Sequence, residues 1–233
     1  MDGQRPHRGA AVAEGRVTAR PGNPRRPGKR GLQPLGLTQG RDGFLYVPES
    51  YSADSPAPLA VMLHGAGGGA RGGLAPLQPL ADRAGLLLFA PDSRGQTWDV
   101  IHGGFGPDVA YIDAALSWIF ERYAVNPARV AAGGFSDGAS YALSIGLTNG
   151  DLFTHVIAFS PGFMAPAGRQ GKPRIYVSPG PRDRVLPIEA CSRRLVPRLQ
   201  RDGYDVLYRE FDGPHTVPED IAREGLHWFL GTQ

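Results

Sequence analysis

Gly134-Phe135-Ser136-Asp137-Gly138 follows the apolar run Val130-Ala131-Ala132 and leads into small residues, Ala139 and Ser140. A serine between two glycines where a strand turns into a helix marks a sharp, strained turn that holds its hydroxyl clear of the backbone. Gly134 and Gly138 remove side chains at the point where strand and helix nearly touch. The same pentapeptide also fits a plain loop, so its surroundings decide the reading. Upstream, His64-Gly65-Ala66-Gly67-Gly68-Gly69 ends a second strand-like run, Leu59-Ala60-Val61-Met62-Leu63. Two strand ends then meet at one place.

Working outward, strand and helix patterns alternate. Two short apolar stretches in residues 33–48, around Arg41-Asp42-Gly43, predict a hairpin. Strands are expected at 58–63, 86–90, 129–135, 155–160, 174–178 and 205–211, and helices at 74–84, 107–122, 137–147, 187–202 and 217–230. Leu86-Leu87-Leu88-Phe89-Ala90 and His155-Val156-Ile157-Ala158-Phe159 are apolar through most of their length, as strands are when helices cover both faces of a parallel sheet. The fold class is therefore α/β, three layers around a mostly parallel central sheet. In such a sheet the site lies beyond the carboxyl ends of the strands, where Ser136 and His64 both fall.

A serine hydroxyl needs a neutral imidazole to take its proton and a carboxylate to fix the imidazole tautomer. Of six histidines, His7 lies near the N-terminus, His64 on the glycine-rich loop, His102 before two glycines, His155 at a strand start and His227 in the last helix. His215 remains, in Phe211-Asp212-Gly213-Pro214-His215-Thr216 after the last strand; its alternative is a surface or capping role. Thr216 and Glu219 have the spacing of a capping box for the final helix. Asp183, on a turn after Arg174-Ile175-Tyr176-Val177-Ser178, is the favoured acid, and Asp212 is its rival by proximity. The oxyanion formed on attack needs two preorganised donors, and the Ala66 and Asp137 amides are the candidates by position. A phosphate cradle is the competing reading of the glycines, but no Gly-Lys-Ser/Thr ending is present. This chemistry needs no metal and no organic cofactor.

The 233 residues, 41% of them hydrophobic, suffice for one substantial core. Residues 1–30 carry +6 and the remainder −3, so the basic balance resides at the N-terminal end. That segment, rich in proline and glycine, is expected to be a flexible leader, with residues 31–233 a single domain. It lacks the interleaved aromatics of a nucleic-acid binder, and no partner of that class is expected. No apolar stretch approaches the roughly 18 residues of a membrane span, and no apolar region follows the N-terminal arginines as in a secretory signal. Stable membrane insertion is not expected, and a cytoplasmic location is. The single cysteine, Cys191, allows no internal disulfide and is expected in a helix, in a structural role.

With these motifs the chain resembles the α/β-hydrolase superfamily, and more closely its small cap-less esterases: the phospholipase/carboxylesterase, dienelactone-hydrolase-like and polyhydroxybutyrate-depolymerase-like groups. The likeness extends over roughly residues 31–231. It implies Ser136 as nucleophile, Asp183 as acid, His215 as base and the amides of Ala66 and Asp137 as the oxyanion hole. The expected partner is a small-molecule ester, with short acyl chains or small aryl groups favoured by an open site. Amide, thioester or lactone cleavage, or a nonenzymatic scaffold, are the alternatives. Trp98, in Pro91-Asp92-Ser93-Arg94-Gly95-Gln96-Thr97-Trp98-Asp99, is the main candidate for a pocket wall, or else a plug between loops. Phe163 and Met164 are candidates for the opposite wall. Where related esterases often read Ser-His-Gly-x-x-Asp, this chain has Ser178-Pro179-Gly180-Pro181-Arg182-Asp183. Arg182 and Arg184 flank the acid, either as ordinary surface charges or as an attraction for anionic substrates.

Overall fold

The computed structural model describes residues 8–232. Eight strands form one sheet: β1 (Gly31–Pro34), β2 (Gly43–Val47), β3 (Ala57–Leu63), β4 (Leu87–Pro91), β5 (Val125–Phe135), β6 (His155–Phe159), β7 (Arg174–Ser178) and β8 (Val206–Tyr208). Their order is β1-β2-β4-β3-β5-β6-β7-β8. β1 and β2 pair antiparallel, β2 meets β4 antiparallel, and every pairing from β4 to β8 is parallel. The helices are α1 (Arg8–Ala13), α2 (Ala70–Leu74), α3 (Gln78–Ala84), α4 (Pro107–Phe120), α5 (Asp137–Thr148), α6 (Ser192–Arg201) and α7 (Glu219–Leu230).

The alternation of each strand divides its side chains between two cores. Leu59, Val61 and Leu63 of β3 face a core shared with α4, α5 and α6, through Ile112, Leu116, Ile145 and Leu199. Ala60 and Met62 face the other, closed by Leu74, Leu77, Ala81, Ile221, Leu226 and Phe229 from the side of α2, α3 and α7. Buried on both sides, the inner strands have no solvated face, which is why they read as continuous apolar runs.

Four local expectations are corrected. The helix expected over 74–84 is two short helices, because the turn at Ala75–Leu77 breaks the first before Pro79 starts the second. Cys191 is buried just ahead of α6, not inside it. No side chain caps α7, which begins after Pro218; Glu219 pairs instead with Arg223 at 2.6 Å.

The fourth concerns the leader. Residues 1–7 of the segment expected to be flexible lie outside the described residues, but residues 8–30 are docked on the domain. Val17 is buried, and its amide donates to Asn149 Oδ1 at 2.8 Å. Asp113 of α4 accepts the amides of Thr18 and Ala19 at 2.7 and 2.8 Å. Arg16 and Arg20 both pair with Asp151, and the Arg25 and Arg26 amides reach the Glu121 carbonyl. Proline and glycine here shape an extended path whose backbone groups are satisfied by α4 and α5, a complementarity that composition does not reveal.

Candidate active site

Strand order reverses at β3: the chain steps outward to β4, then returns to place β5 on the opposite side of β3. A crevice opens at such a switch point, beyond the carboxyl ends of the two strands. Leu63 and Gly134 are paired in register, so the His64 loop and the Ser136 turn leave the sheet side by side. Ser136 has φ 58° and ψ −121°, a backbone that an L residue adopts only when its surroundings enforce it. The enforcement is close packing. A Cβ on Gly134 would lie 2.5 Å from the Gly138 carbonyl carbon, and one on Gly138 would run into the Leu63 carbonyl.

The loops after β7 and β8 bring the other two groups. His215 Nε2 lies 2.9 Å from Ser136 Oγ, and Nδ1 lies 2.5 Å from Asp183 Oδ2. The Asp183 carboxylate is fully buried, and its second oxygen accepts the amides of Val185 and Leu186 at 2.9 and 2.7 Å. A carboxylate saturated in this way is fixed as an acceptor, so His215 carries its proton on Nδ1 and offers Nε2 to the serine. Asp212 is elsewhere: its side chain is 87% exposed and pairs with Arg182 at 3.1 Å. That pair, with the Arg182 amide donating to the Gly213 carbonyl at 3.1 Å, ties the acid loop to the base loop. Gly180 permits the approach, since a Cβ there would strike the Gly213 carbonyl.

Ala66 lies on the loop after β3 and Asp137 directly follows Ser136. Asp137 opens α5, where the first amides have no intrahelical acceptor. Among the described residues neither amide donates to a protein group. His64 braces the loop, with Nδ1 donating to the Gly65 carbonyl at 2.7 Å and Nε2 accepting the Ser93 amide at 3.0 Å. This pattern requires a neutral ring, and burial pushes the His64 pKa down. Asp137 Oδ2 accepts from Thr97 Oγ1 at 2.7 Å, joining the turn to the loop after β4.

Trp98 is not a pocket wall. It is fully buried, stacked 5.0 Å from Tyr141, and its indole N–H donates to the His64 carbonyl at 2.8 Å. It therefore supports the glycine loop from beneath. The loop carrying it is pinned by Asp108, which accepts the amides of Arg94 at 2.5 Å and Asp99 at 2.8 Å. Burial raises the pKa of both Asp99 and Asp108.

Phe163 is half-buried and Met164 is buried at 9% exposure, both packed on the core. Their segment is held by two serines of α5: Ser140, which the sequence marks only as small, and Ser144, which it does not mark at all. Ser140 Oγ accepts the amides of Gly162 and Phe163 at 2.9 and 3.3 Å, and Ser144 Oγ accepts that of Ala165 at 2.9 Å. Residues 160–173 contain neither helix nor strand, so no helical cap is inserted after β6. Two further groups carried little signal: Ser93, hidden in a loop, and Tyr141, which reads as one more apolar position of a helix.

Residues 111–186 match the family model described as "Putative esterase". Among curated relatives, "Probable feruloyl esterase C" of Aspergillus oryzae is 29% identical over 208 residues, covering 80% of this chain and 76% of that protein. The crystal structure of esterase PE8 superposes with a TM-score of 0.66 at 22% identity, over 87% of this chain and all (100%) of the other. The ferulic acid esterase AmCE1/Fae1A from Anaeromyces mucronatus, solved with ferulic acid, gives 0.64 at 18% identity, covering 91% and 94%. The strand order, the turn at Ser136 and these likenesses agree: the chain has the α/β-hydrolase fold, in the form shared by the cap-less esterases and carboxylesterases it resembles.

Proposed function

We propose that the chain is a serine esterase that cleaves carboxylic esters of small acyl or aryl groups through an acyl-enzyme, with Ser136, His215 and Asp183 as its catalytic residues. One observation carries the assignment of roles: the unbroken contact from Ser136 Oγ through both nitrogens of His215 to the buried Asp183. Ser136 Oγ attacks the ester carbonyl carbon while His215 Nε2 takes its proton. Asp183 holds the ring in place and stabilises the imidazolium that forms. The carbonyl oxygen becomes an oxyanion received by the Ala66 and Asp137 amides. As the intermediate collapses, the carbon–oxygen bond to the alcohol breaks and His215 returns the proton to the leaving oxygen. Water, deprotonated by the same imidazole, then releases the acid and restores Ser136.

The relatives named for feruloyl esters support an aryl-bearing substrate, and the open crevice without a cap supports small groups over long chains. The test is labelling by a fluorophosphonate together with hydrolysis of methyl ferulate and of p-nitrophenyl esters of rising chain length. Labelling and turnover, both lost in Ser136→Ala, are expected, with the fastest rates on acetyl, butyryl or aryl esters. A folded protein that neither labels nor hydrolyses any of them overturns the assignment, and a maximum at sixteen carbons overturns the size preference.

A further inference from the structure

Beside His215 lies a cleft of about 550 Å³ lined by Arg182, Arg184, Val185, Pro214 and His215. Its place in the reaction follows from the chemistry. The leaving alcohol oxygen takes its proton from His215 Nε2, so it must lie within hydrogen-bond reach of the ring. His215 lines this cleft, which puts it beside the ring that must meet the leaving oxygen.

The charge of this cleft is not balanced by the protein. Each acid on the two adjoining loops is already engaged: Asp183 by His215, Asp212 by Arg182, and Glu189 and Glu210 by Arg193. Arg184 alone of the two lining arginines has no ion pair or side-chain hydrogen bond among the described residues. Next to it, Val185 is 65% exposed, more than any other large hydrophobic residue among the described residues. An uncommitted guanidinium, an exposed aliphatic side chain and the general base thus share one surface. The backbone beneath is rigid, because Asp183 Oδ1 accepts the amides of Val185 and Leu186. A guanidinium held on a fixed loop is suited to a carboxylate, which it binds through two parallel hydrogen bonds.

We propose that this cleft is the alcohol-side subsite and that Arg184 selects esters whose leaving alcohol carries a carboxylate, with Val185 covering the apolar body between the two groups. The proposal rests on the esterase reading of Ser136 and adds the class of alcohol released. Arg182, tied to Asp212, positions the base loop instead of binding substrate.

The experiment compares kcat/KM for three esters: 4-acetoxybenzoate, its methyl ester, and phenyl hydrogen succinate, which bears its carboxylate on the acyl half. The readout is the ratio of the first to the second in the native protein and in Arg184→Gln, Arg184→Lys and Arg198→Gln. Loss of a charge-assisted contact lowers that ratio about tenfold in Arg184→Gln. The lysine variant is expected to fall between the two, and removal of the exposed Arg198 of α6 to leave the ratio unchanged, which separates local recognition from overall charge. An equal ratio in native protein and Arg184→Gln, or a ratio lowered equally by Arg198→Gln, overturns the proposal. So does a larger effect of Arg184→Gln on the succinate, since the anion would then sit on the acyl side. No turnover of any ester and no labelling of Ser136 overturns the esterase reading, and this assignment with it.

Discussion

Trp98 donates its indole N–H to the main-chain carbonyl of His64, one residue before the glycines that pass the reacting centre. The ring is stacked on Tyr141 at 5.0 Å and meets the tilted His64 ring at 4.8 Å, so the start of the glycine-rich loop that carries Ala66 is braced by it. Trp98→Phe keeps an aromatic ring and loses the donor. An oxyanion donor displaced by a fraction of an ångström stabilises the transition state less while leaving substrate binding largely alone, so kcat is expected to fall about tenfold or more with little change in KM. Steady-state kinetics check this. A rise in KM with kcat untouched would return Trp98 to the role of a substrate contact.

Asp137 separates backbone from side-chain function. Its amide is the proposed oxyanion donor, while its carboxylate accepts from Thr97. Asp137→Asn retains an oxygen for that contact and is expected to keep most of the native kcat, whereas Ser136→Ala removes the nucleophile and is expected to cost on the order of 10⁴-fold or more. Equal collapse in two correctly folded variants would show that the carboxylate itself takes part.

Gly138→Ala is expected to prevent the native turn from forming, because the added methyl would overlap the Leu63 carbonyl of the neighbouring strand. Main chain cannot withdraw there without breaking the β3–β5 pairing, so the cost should exceed about 4 kcal/mol. Soluble yield and urea midpoint are the measurements. A stable, active Gly138→Ala protein would contradict the close approach of α5 to β3.

His155 gives the fold a pH dependence separate from catalysis. Burial foremost, then the charges of Arg129 and Arg174, push its pKa from 6.5 to about 4, and Asp205 opposes them weakly. The unfolded chain thus takes up a proton where the folded one refuses it. Stability is fully present above about 6.5 and falls as pH drops toward 4, by at most about 3 kcal/mol from this residue. Urea titrations across that window should show a shallower loss in His155→Gln than in the native protein. Parallel curves would assign the acid sensitivity to carboxylates.

The nearness of His215, Asp183 and Ser136 was legible because each sits where a run of strand residues ends, and strand ends of a parallel sheet face one crevice. Asp183 and Asp212 could not be separated by the chain alone. Their distinction lies in burial, one carboxylate saturated by two amides and the imidazole, the other turned to solvent and Arg182. Trp98 misled for a related reason: an aromatic on a loop near a site can line it or underpin it, and only the direction of its N–H decides. Ser140 and Ser144 carry no pattern at all, since helical serines that accept amides from a distant loop resemble serines that fill space. Residues 8–30 could not be placed from composition, because arginine and proline mark disorder only when no partner such as Asp151 or Asn149 waits elsewhere in the chain.

The docking of Arg16–Ala19 onto Asp113, Asn149 and Asp151 also orders events during synthesis. These residues leave the ribosome well before their hydrogen-bond partners, which lie 94 to 135 positions later. Until α4 and α5 have been made and packed, Val17 has nowhere to bury itself and Arg16 no carboxylate to meet. The Arg16–Ala19 segment is thus late to settle, closing over helices that are already in place, and its seating reports that both have reached their native positions.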